Sequence, residues 1–301
     1  MSFVLTFVAS SPEFPLTERH IDDVIDVIMP SDITPTCKPV WIHPERVAEL
    51  GITKKCDLEL MQQLRDVLEK AKVDIFIMPI EKRRKKVLVA DMDSTIVTGE
   101  TLDDLAEHAG IKDQIAEITA RAMNGELDFH AAIEERVGLL RDLPKSAVDK
   151  TVAAMRYNKG AATMVKTMKE YGTHCVLVSG GFTVFTRVVA SQLEFMNHHG
   201  NELVVNADGS LAGKVKHPIL DKNAKVAFLK QYAHMYDLKP EQCMTIGDGA
   251  NDLPMLKMAG LGVGYKAKPN VAEQLENLII HGDMTAALYA QGYTDADILF
   301  T

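Results

Sequence analysis

Apolar residues recur along this chain in two patterns, short unbroken runs that are typical of buried strands and stripes at helical spacing. In the N-terminal part, a run at 3–9 predicts a strand, and a one-face stripe starting at Ile21 predicts a helix. A further strand is predicted near 38–42. Asp57 is a predicted N-cap of a second helix, and the run at 73–80 predicts the strand that follows it. Strands and helices therefore alternate here.

Three later apolar runs lack the alternation of half-buried strands. They are VLVA (87–90), HCVLV (174–178) and CMTI (243–246), and helical sequence separates each from the next. Such runs are typical of parallel strands that helices cover on both faces. The pattern predicts an α/β fold, a doubly wound parallel sheet, for residues 81–301, preceded by a small α+β N-terminal domain at 1–80.

The first two of these strands are separated by about 60 residues, from about 99 to 158, which is far more than a βαβ crossover requires. This segment is predicted to be helical and free of strands. Because it leaves the carboxyl end of the first strand, it would lie above the crevice where open α/β sheets bind ligands, and we interpret it as a cap. A later segment, 202–215, is predicted to be a β-hairpin around Asp208 and Gly209.

The basic segment EKRRKK (81–86) carries five positive charges in six residues. Alone it is compatible with a nucleic-acid patch, but the whole chain has 42 Asp and Glu residues against 33 Lys and Arg, a net charge of −9. Because that charge repels polyanions, we interpret the segment as a solvated linker and expect no nucleic-acid partner. A small-molecule substrate agrees better with this balance.

Composition narrows the class further. The 301 residues are 47% hydrophobic and 25% charged, as in ordinary globular proteins, and the length corresponds to about two domains. Four widely separated cysteines form no CxxC pair, which favours a reducing compartment over a zinc site or a disulfide framework. No stretch approaches the ~20 apolar residues that span a bilayer. We therefore expect a cytoplasmic protein with no membrane partner.

Polar residues directly follow each of the three predicted parallel strands. The first strand leads into DMDST (91–95), the second into SGG (179–181) and the third into GDGAND (247–252). Because the carboxyl ends of parallel strands meet at one edge of the sheet, we expect these residues to form a single site in the crevice.

Asp91 and Asp93 point to the same side of an extended segment, where two adjacent anions are costly unless a cation or a proton relieves them. This favours a divalent metal or one carboxyl held protonated as an acid, and a plain helix N-cap pair is the simpler alternative. Asp248 and Asp252, four residues apart at a predicted helix start, would complete an all-oxygen site. Hard oxygen ligands with no His or Cys nearby favour Mg²⁺ over zinc.

The SGG segment offers a hydroxyl and free amides at a strand-to-helix turn. Ser179 and the Gly180 amide are suited to hold phosphate oxygens there, although SGG is also an ordinary turn sequence. Lys225 would supply the cation that such a site needs, although a surface position is the default interpretation for a single lysine.

Taken in order, DMDST, SGG, Lys225 and GDGANDLPML resemble the four motifs of the haloacid dehalogenase superfamily of phosphohydrolases. The segments at 99–110 and 122–140 resemble the cap of its phosphoserine phosphatase family. The likeness covers about residues 85–293. Residues 1–80 resemble the small ACT-like domain of some longer relatives, and a regulatory role for them is a hypothesis.

The resemblance implies hydrolysis of O-phospho-L-serine to L-serine and phosphate, the last step of serine biosynthesis, through an aspartyl-phosphate intermediate. Asp91 would be the nucleophile. Asp93 would protonate the serine oxygen and then serve as base for water. Ser179, the Gly180 amide and Lys225 would hold the phosphoryl oxygens.

The resemblance also implies the metal ligands. Mg²⁺ would lie between Asp91, the backbone carbonyl of Asp93 and Asp248. Asp252 would support the metal site from behind its ligands or orient Lys225.

The predicted cap bears on the identity of the substrate. Phe129, Ile133, Arg136 and Leu140 follow one another at helical spacing, so Arg136 would lie on the apolar stripe of its helix. A guanidinium that faces inward needs an anion, and its fork suits a carboxylate. Glu100, at the start of the cap, would meet an ammonium. Arg136 and Glu100 together would therefore suit the carboxylate and ammonium groups of an amino acid.

The family implies the same roles for Arg136 and Glu100. It adds Met123 and Phe129 as residues that close over phosphoserine, and Asn251 as a further substrate contact. Two alternatives stay open: Arg136 pairs with a cap carboxylate such as Glu135, and Met123 and Phe129 are simply cap core.

Two other functions stay open at this point, a phosphotransferase that passes the group to a small alcohol such as homoserine, and a non-catalytic amino-acid sensor. The second aspartate of DMDST weighs against a sensor, because binding alone needs no group that acts on a leaving group. The oligomeric state is not fixed, and a homodimer is left open. One departure from the family is Asn158-Lys159-Gly160-Ala161 at the cap's return, where relatives often carry Pro-Gly.

Overall fold

The structure, a computed structural model, describes residues 2–123 and 126–301, without the side chain of Met123. The strands are β1 (Phe3–Ala9), β2 (Val40–His43), β3 (Val47–Ile52), β4 (Val73–Pro79), β5 (Val87–Ala90), β6 (His174–Phe182), β7 (Asn197–Asn201), β8 (Leu203–Val205), β9 (Leu211–Val215), β10 (Cys243–Gly247), β11 (Leu261–Tyr265) and β12 (Asn277–Ile279). The helices are α1 (Glu18–Ile28), α2 (Leu58–Leu68), α3 (Thr101–Ala109), α4 (Lys112–Met123), α5 (Phe129–Gly138), α6 (Lys145–Ala154), α7 (Ala161–Glu170), α8 (Thr183–Leu193), α9 (Lys222–Met235), α10 (Leu253–Met258), α11 (Pro269–Ala272) and α12 (Ala286–Ala290).

The N-terminal residues form an antiparallel sheet in the order β2-β3-β1-β4. One face packs on α1 and α2, and Asp57 caps α2 as predicted, accepting a hydrogen bond from Leu60 N at 2.9 Å. The other face, with Val4 and Phe76, packs on α12 and joins the core of the larger sheet. β1 is therefore buried on both faces, which explains its unbroken apolar run.

The sequence prediction missed β3. It placed one strand between the two N-terminal helices, whereas β2 and β3 form an antiparallel pair there. Glu49 interrupts the apolar pattern of β3, and its carboxylate is neutralised by Arg83, whose Nη1 lies 2.6 Å from Glu49 Oε1. A partner so distant in sequence leaves no local signal.

The interpretation of residues 81–86 as a solvated linker is wrong for its central residues. Besides the Arg83 ion pair, the Arg84 guanidinium lies over the Tyr293 ring, 4.2 Å from the centroid. Lys85 is 3% exposed, and its ammonium donates to the carbonyl of Glu241 at 2.9 Å. The segment is thus fixed to both sheets by its own charges.

A second contact joins the two sheets at the edge strand β4. The buried carboxylate of Asp74 accepts hydrogen bonds from three successive backbone amides, those of Ile280, His281 and Gly282, at 2.9 to 3.1 Å. Asn277 of β12 completes the junction, because its Oδ1 accepts from Ile77 N at 2.8 Å. The edge strand is therefore covered rather than left open.

The larger sheet has six parallel strands in the order β12-β11-β10-β5-β6-β7. Helices α7 and α12 pack on one face, and α9 and α10 on the other. This confirms the predicted doubly wound sheet and its three predicted strands. From β5 the chain adds β6 and β7 on one side, and it then returns to the other side of β5 to add β10, β11 and β12. The crevice at that switch point is where such sheets bind ligands.

Helices α3 to α6 lie between β5 and β6, and within the described residues this insertion contains no strand, as predicted for the cap. The predicted hairpin is also present as β8 and β9. Two main-chain hydrogen bonds join it to the cap, Asp142 N to Leu211 O at 2.8 Å and Leu211 N to Leu143 O at 2.9 Å. In the described part of the chain, no helix is long and apolar enough to cross a membrane.

Candidate active site

The turn that follows β5 presents the first two candidate residues. Asp91 ends the strand in an extended conformation, and its side chain makes no capping bond to the turn, so Asp91 is not the N-cap of that turn. Asp93 has φ −66° and ψ 137°, and Ser94 has a positive φ of 54°. Positive φ is uncommon outside glycine and persists only where the surroundings hold it. Here Ser94 Oγ donates to Glu100 Oε1 at 2.8 Å.

Lys225 is buried behind this turn and binds two carboxylates. Its Nζ lies 2.6 Å from Asp91 Oδ1 and also donates to Asp252 Oδ1. Asp252 Oδ2 in turn accepts from Gly249 N at 3.0 Å, so both of its oxygens are occupied. Close packing explains the neighbouring glycine, because a Cβ at Gly247 would lie 2.5 Å from Asp252 Cγ.

Three carboxylates converge at this point. Asp91, Asp248 and Asp252 each offer an oxygen within 4.8 Å of the others, and all three are buried. Burial raises the pKa of Asp91 and that of Asp248, since it disfavours the charged form. One buried ammonium does not balance three carboxylates. The donor set, all oxygen and strongly anionic, fits a hard divalent cation.

Asp93 is held from both sides. Its Oδ1 accepts from the backbone N and the hydroxyl of Thr101, at 2.8 and 2.7 Å, and its Oδ2 accepts from Ser179 Oγ at 2.9 Å. Burial, with the nearby charge of Glu100, raises the pKa of Asp93 to about 6. A carboxyl with such a pKa can both give and take a proton near neutral pH.

The SGG segment lies beside Asp93. Ser179 is 1% exposed, and its hydroxyl also accepts from Gly181 N at 2.8 Å. A Cβ at Gly181 would lie 2.8 Å from Asp93 Oδ2, so the third position of this segment must be glycine for the carboxylate to fit. Asn201 supports the segment from behind, donating from Nδ2 to the Gly180 carbonyl at 2.7 Å.

A cavity of about 210 Å³ lies between these residues and the cap. Its lining residues are Asp91, Asp93, Glu100, Thr101, Leu102, Phe129, Ile133, Arg136, Ser179, Gly180, Gly181, Phe182, Asp248, Asn251 and Lys268. Of the other candidates, Lys225 and Asp252 are buried behind Asp91. The side chain of Met123 lies outside the described residues. The strand motifs and the cap residues thus share one cavity.

Lys268 was missed by the sequence reasoning. It lies at the cavity with its Nζ 3.6 Å from Asp248 Oδ2. The sequence feature that could have identified it is β11, the strand just before it. β11 is parallel to β10, so the residues that follow β11 reach the same edge of the sheet. Two glycines, Gly262 and Gly264, break the apolar run of that strand.

The cap side of the cavity carries Arg136 on α5. Glu135, the suggested alternative partner, instead accepts from Arg121 at 2.7 Å. Among the described residues, no carboxylate lies within ion-pair distance of Arg136, whose Nε donates to the Ala132 carbonyl at 3.2 Å. Burial lowers the pKa of this guanidinium, as expected for a cation without an anion in contact. Phe129 is 43% exposed at the cavity and is therefore not cap core.

Comparison with known proteins agrees with this geometry. A family model described as haloacid dehalogenase-like hydrolase matches residues 88–257. The phosphoserine phosphatase of Saccharomyces cerevisiae is 35% identical over 98% of both chains. Three other curated phosphoserine phosphatases are longer, and the chain spans 66%, 55% and 53% of their lengths.

Two solved structures are similar as well. A HAD family hydrolase of Salmonella enterica serovar Typhi has a TM-score of 0.82 at 26% identity, covering 96% of this chain and 98% of that one. A structure described as a phospho-aspartyl intermediate analogue of phosphoserine phosphatase has a TM-score of 0.63 at 35% identity, covering 68% of this chain and 98% of that one. The chain belongs to the haloacid dehalogenase-like hydrolases, and within them to the phosphoserine phosphatase family.

Proposed function

We propose that this chain is a Mg²⁺-dependent phosphatase that hydrolyses O-phospho-L-serine to L-serine and phosphate. One observation carries the proposal: the carboxylates of Asp91 and Asp93 open into the same small cavity as the guanidinium of Arg136, which has no carboxylate partner among the described residues. The names of the relatives support the substrate, since the full-length yeast relative is a phosphoserine phosphatase.

Asp91 is the proposed nucleophile. Its free carboxylate oxygen would attack phosphorus, so that an aspartyl phosphate forms and the bond to the serine oxygen breaks. Water then cleaves the aspartyl phosphate and restores the carboxylate. The relative described as a phospho-aspartyl intermediate analogue supports this route by its name.

Asp93 is the proposed acid and base. In its protonated form it would give the proton to the departing serine oxygen, and as a carboxylate it would then take a proton from the attacking water. The hydrogen bonds from Thr101 and Ser179 fix the carboxyl group in the cavity, and its pKa of about 6 keeps both forms accessible.

Asp91, Asp248 and the backbone carbonyl of Asp93 would hold Mg²⁺. The ion would supply positive charge that offsets the anions gathered around the phosphoryl group. Asp252 accepts hydrogen bonds from Lys225 on one oxygen and from Gly249 N on the other, so it would orient Lys225 and support the metal site from behind its ligands.

The remaining residues would bind the substrate. Ser179 and the Gly180 amide would contact phosphoryl oxygens, and Lys225 would offset the phosphoryl charge from behind Asp91. Arg136 and Glu100 would bind the carboxylate and the ammonium of serine. Phe129, Met123 and Asn251 would close the cavity around it. We also propose that the protein acts in the cytoplasm, since Cys56, Cys175 and Cys243 are buried free thiols. The proposed reaction would be the last step of serine biosynthesis.

Phosphate release from a panel of phosphoserine, phosphothreonine and sugar phosphates tests the proposal. We expect phosphoserine to lead the panel in kcat/KM by about tenfold or more, as selective recognition of the amino-acid head requires. Chelation should abolish turnover, and added Mg²⁺ should restore it. Equal rates across the panel, or full activity under chelation, would refute the assignment. Diversion of phosphate to added homoserine would identify a phosphotransferase instead.

A further inference from the structure

A single asparagine, Asn158, holds the segment that follows the two candidate catalytic aspartates. Its Nδ2 donates to the carbonyls of Thr95 at 2.6 Å and Val97 at 3.1 Å. Its backbone N donates to the carbonyl of Ile96 at 2.9 Å. Three successive carbonyls, from the last residue of DMDST onward, are thus bound by one residue that lies more than sixty positions further along the chain.

This segment depends on outside contacts to keep its conformation. Asp93 and Ser94 both leave helical geometry, so the turn lacks a regular ladder of hydrogen bonds, and the positive φ of Ser94 adds strain. Thr95, which Asn158 binds through its carbonyl, also touches Asp248 through its hydroxyl at 3.4 Å. A shift of the segment would therefore move Asp91 and Asp93 relative to Asp248.

Asn158 also lies where the chain returns from the cap. Val97 pairs with Tyr157 across the outgoing and returning segments, and Thr98 N donates to Arg156 O at 2.9 Å. Beyond Asn158, Met284 N donates to Lys159 O at 3.1 Å, which fixes the returning segment to the core. The carboxamide therefore connects the catalytic turn to an anchored part of the protein.

We propose that Asn158 is a positioning residue that fixes the catalytic turn through its two side-chain N–H donors. This inference rests on the proposed phosphatase function. Asn158 does not line the cavity, and within the described residues it touches no proposed substrate contact, so its effect should fall on the chemical step and not on binding. Displacing reacting groups by about 1 Å costs on the order of 100-fold in rate.

The test compares Asn158→Ala, Asn158→Asp and Asn158→Ser with the wild type. The aspartate keeps the shape of the side chain but removes both donors, and the serine keeps one. Asn206→Ala is the matched control, because Asn206 also donates its Nδ2 to a main-chain carbonyl, that of Leu211, but in the hairpin at 202–215, no residue of which lines the cavity. For each variant we would measure kcat and KM for phosphoserine, together with the thermal unfolding midpoint.

We expect kcat to fall about 10- to 100-fold in the alanine and aspartate variants, with KM within about threefold of wild type. The serine variant should lie between them and the wild type, and Asn206→Ala should match the wild type. A space-filling role predicts an active aspartate variant. Normal kcat in folded Asn158→Asp and Asn158→Ser, whatever their melting midpoints, would overturn the inference alone. A wild-type chain without phosphoserine turnover would overturn the proposed function and this inference together.

Discussion

Lys225 on α9 and Asp91 at the end of β5 form an ion pair in the interior, with Nζ 2.6 Å from Oδ1. The same ammonium binds Asp252. Burial alone would lower the pKa of Lys225, but the charges of the two carboxylates outweigh it and raise the pKa. The two carboxylates thus favour the charged form of the lysine that lies directly behind the proposed nucleophile.

Replacing Lys225 by methionine should leave two buried carboxylates uncompensated. We expect a loss of about 3–5 kcal/mol in the free energy of unfolding, measured by urea denaturation of the metal-free protein, together with loss of phosphatase activity. Adding Asp252→Asn should recover part of the stability and none of the activity. Lys222→Met, at an exposed position of the same helix, is the control. Equal stability of the two methionine variants would contradict the pairing.

Asp91→Asn should lower kcat about 1000-fold or more, because the variant lacks the proposed nucleophile. Acid quenching with labelled phosphoserine would measure the covalent intermediate directly. The wild type should retain label on the protein, and the variant should retain none. Label on Asp91→Asn in wild-type amount would show that the phosphoryl group goes elsewhere.

The Asp93 carboxyl should titrate near pH 6 in the metal-free chain, since burial and the charge of Glu100 raise its pKa to about 6. Carbon-13 NMR, with Asp93→Asn to assign the resonance, measures this value. Glu100→Gln removes a neighbouring negative charge, which favours the ionised carboxyl, so the pKa should fall. An upward shift in that variant, or titration of the wild type near pH 4, would rule out this electrostatic account.

Arg136→Ala should lower kcat/KM for phosphoserine about 10- to 100-fold, as expected for loss of a charge-assisted pair with the substrate carboxylate. Turnover of p-nitrophenyl phosphate, which has no carboxylate, should change little. Arg121→Ala removes a different cap guanidinium, one that pairs with Glu135, and should leave both substrates unaffected. Equal losses on both substrates in Arg136→Ala would argue for a structural role.

Asp74→Ala should destabilise the junction between the two sheets. Three backbone amides would lose their acceptor, and we expect the free energy of unfolding to fall by about 1–3 kcal/mol. Denaturant unfolding would measure the change against Asp66→Ala, an exposed carboxylate on α2. If the two variants unfold alike, the contact contributes nothing to stability.

The catalytic side of the cavity could be predicted because its signals are local. Asp91, Ser179 and Asp248 each follow an unbroken apolar strand, and the sheet edge brings them together. Lys268 was not predicted in the same way because two glycines interrupt the apolar run of β11, the strand that precedes it. The role of Thr101 had no such signal, since its contact with Asp93 depends on how the first cap helix is placed.

The errors in the N-terminal part have a different origin. Glu49 and Arg83 each look out of place in their own segments, one charge inside a strand and one in a basic run. Only the folded chain pairs them. Interactions between residues far apart in sequence leave no periodic pattern, so pattern analysis assigned both positions incorrectly.

The β8-β9 hairpin has a consequence for how this chain can vary in length. Main-chain bonds tie its second strand to the cap, and Asn201 at its base binds both Gly180 and Leu220. An insertion near Asn201 would therefore disturb Gly180 in the wall of the cavity, and one near Leu211 would disturb the attachment of the hairpin to the cap. Added length is tolerated best at the exposed tip, at 207–208, which lies away from both attachments.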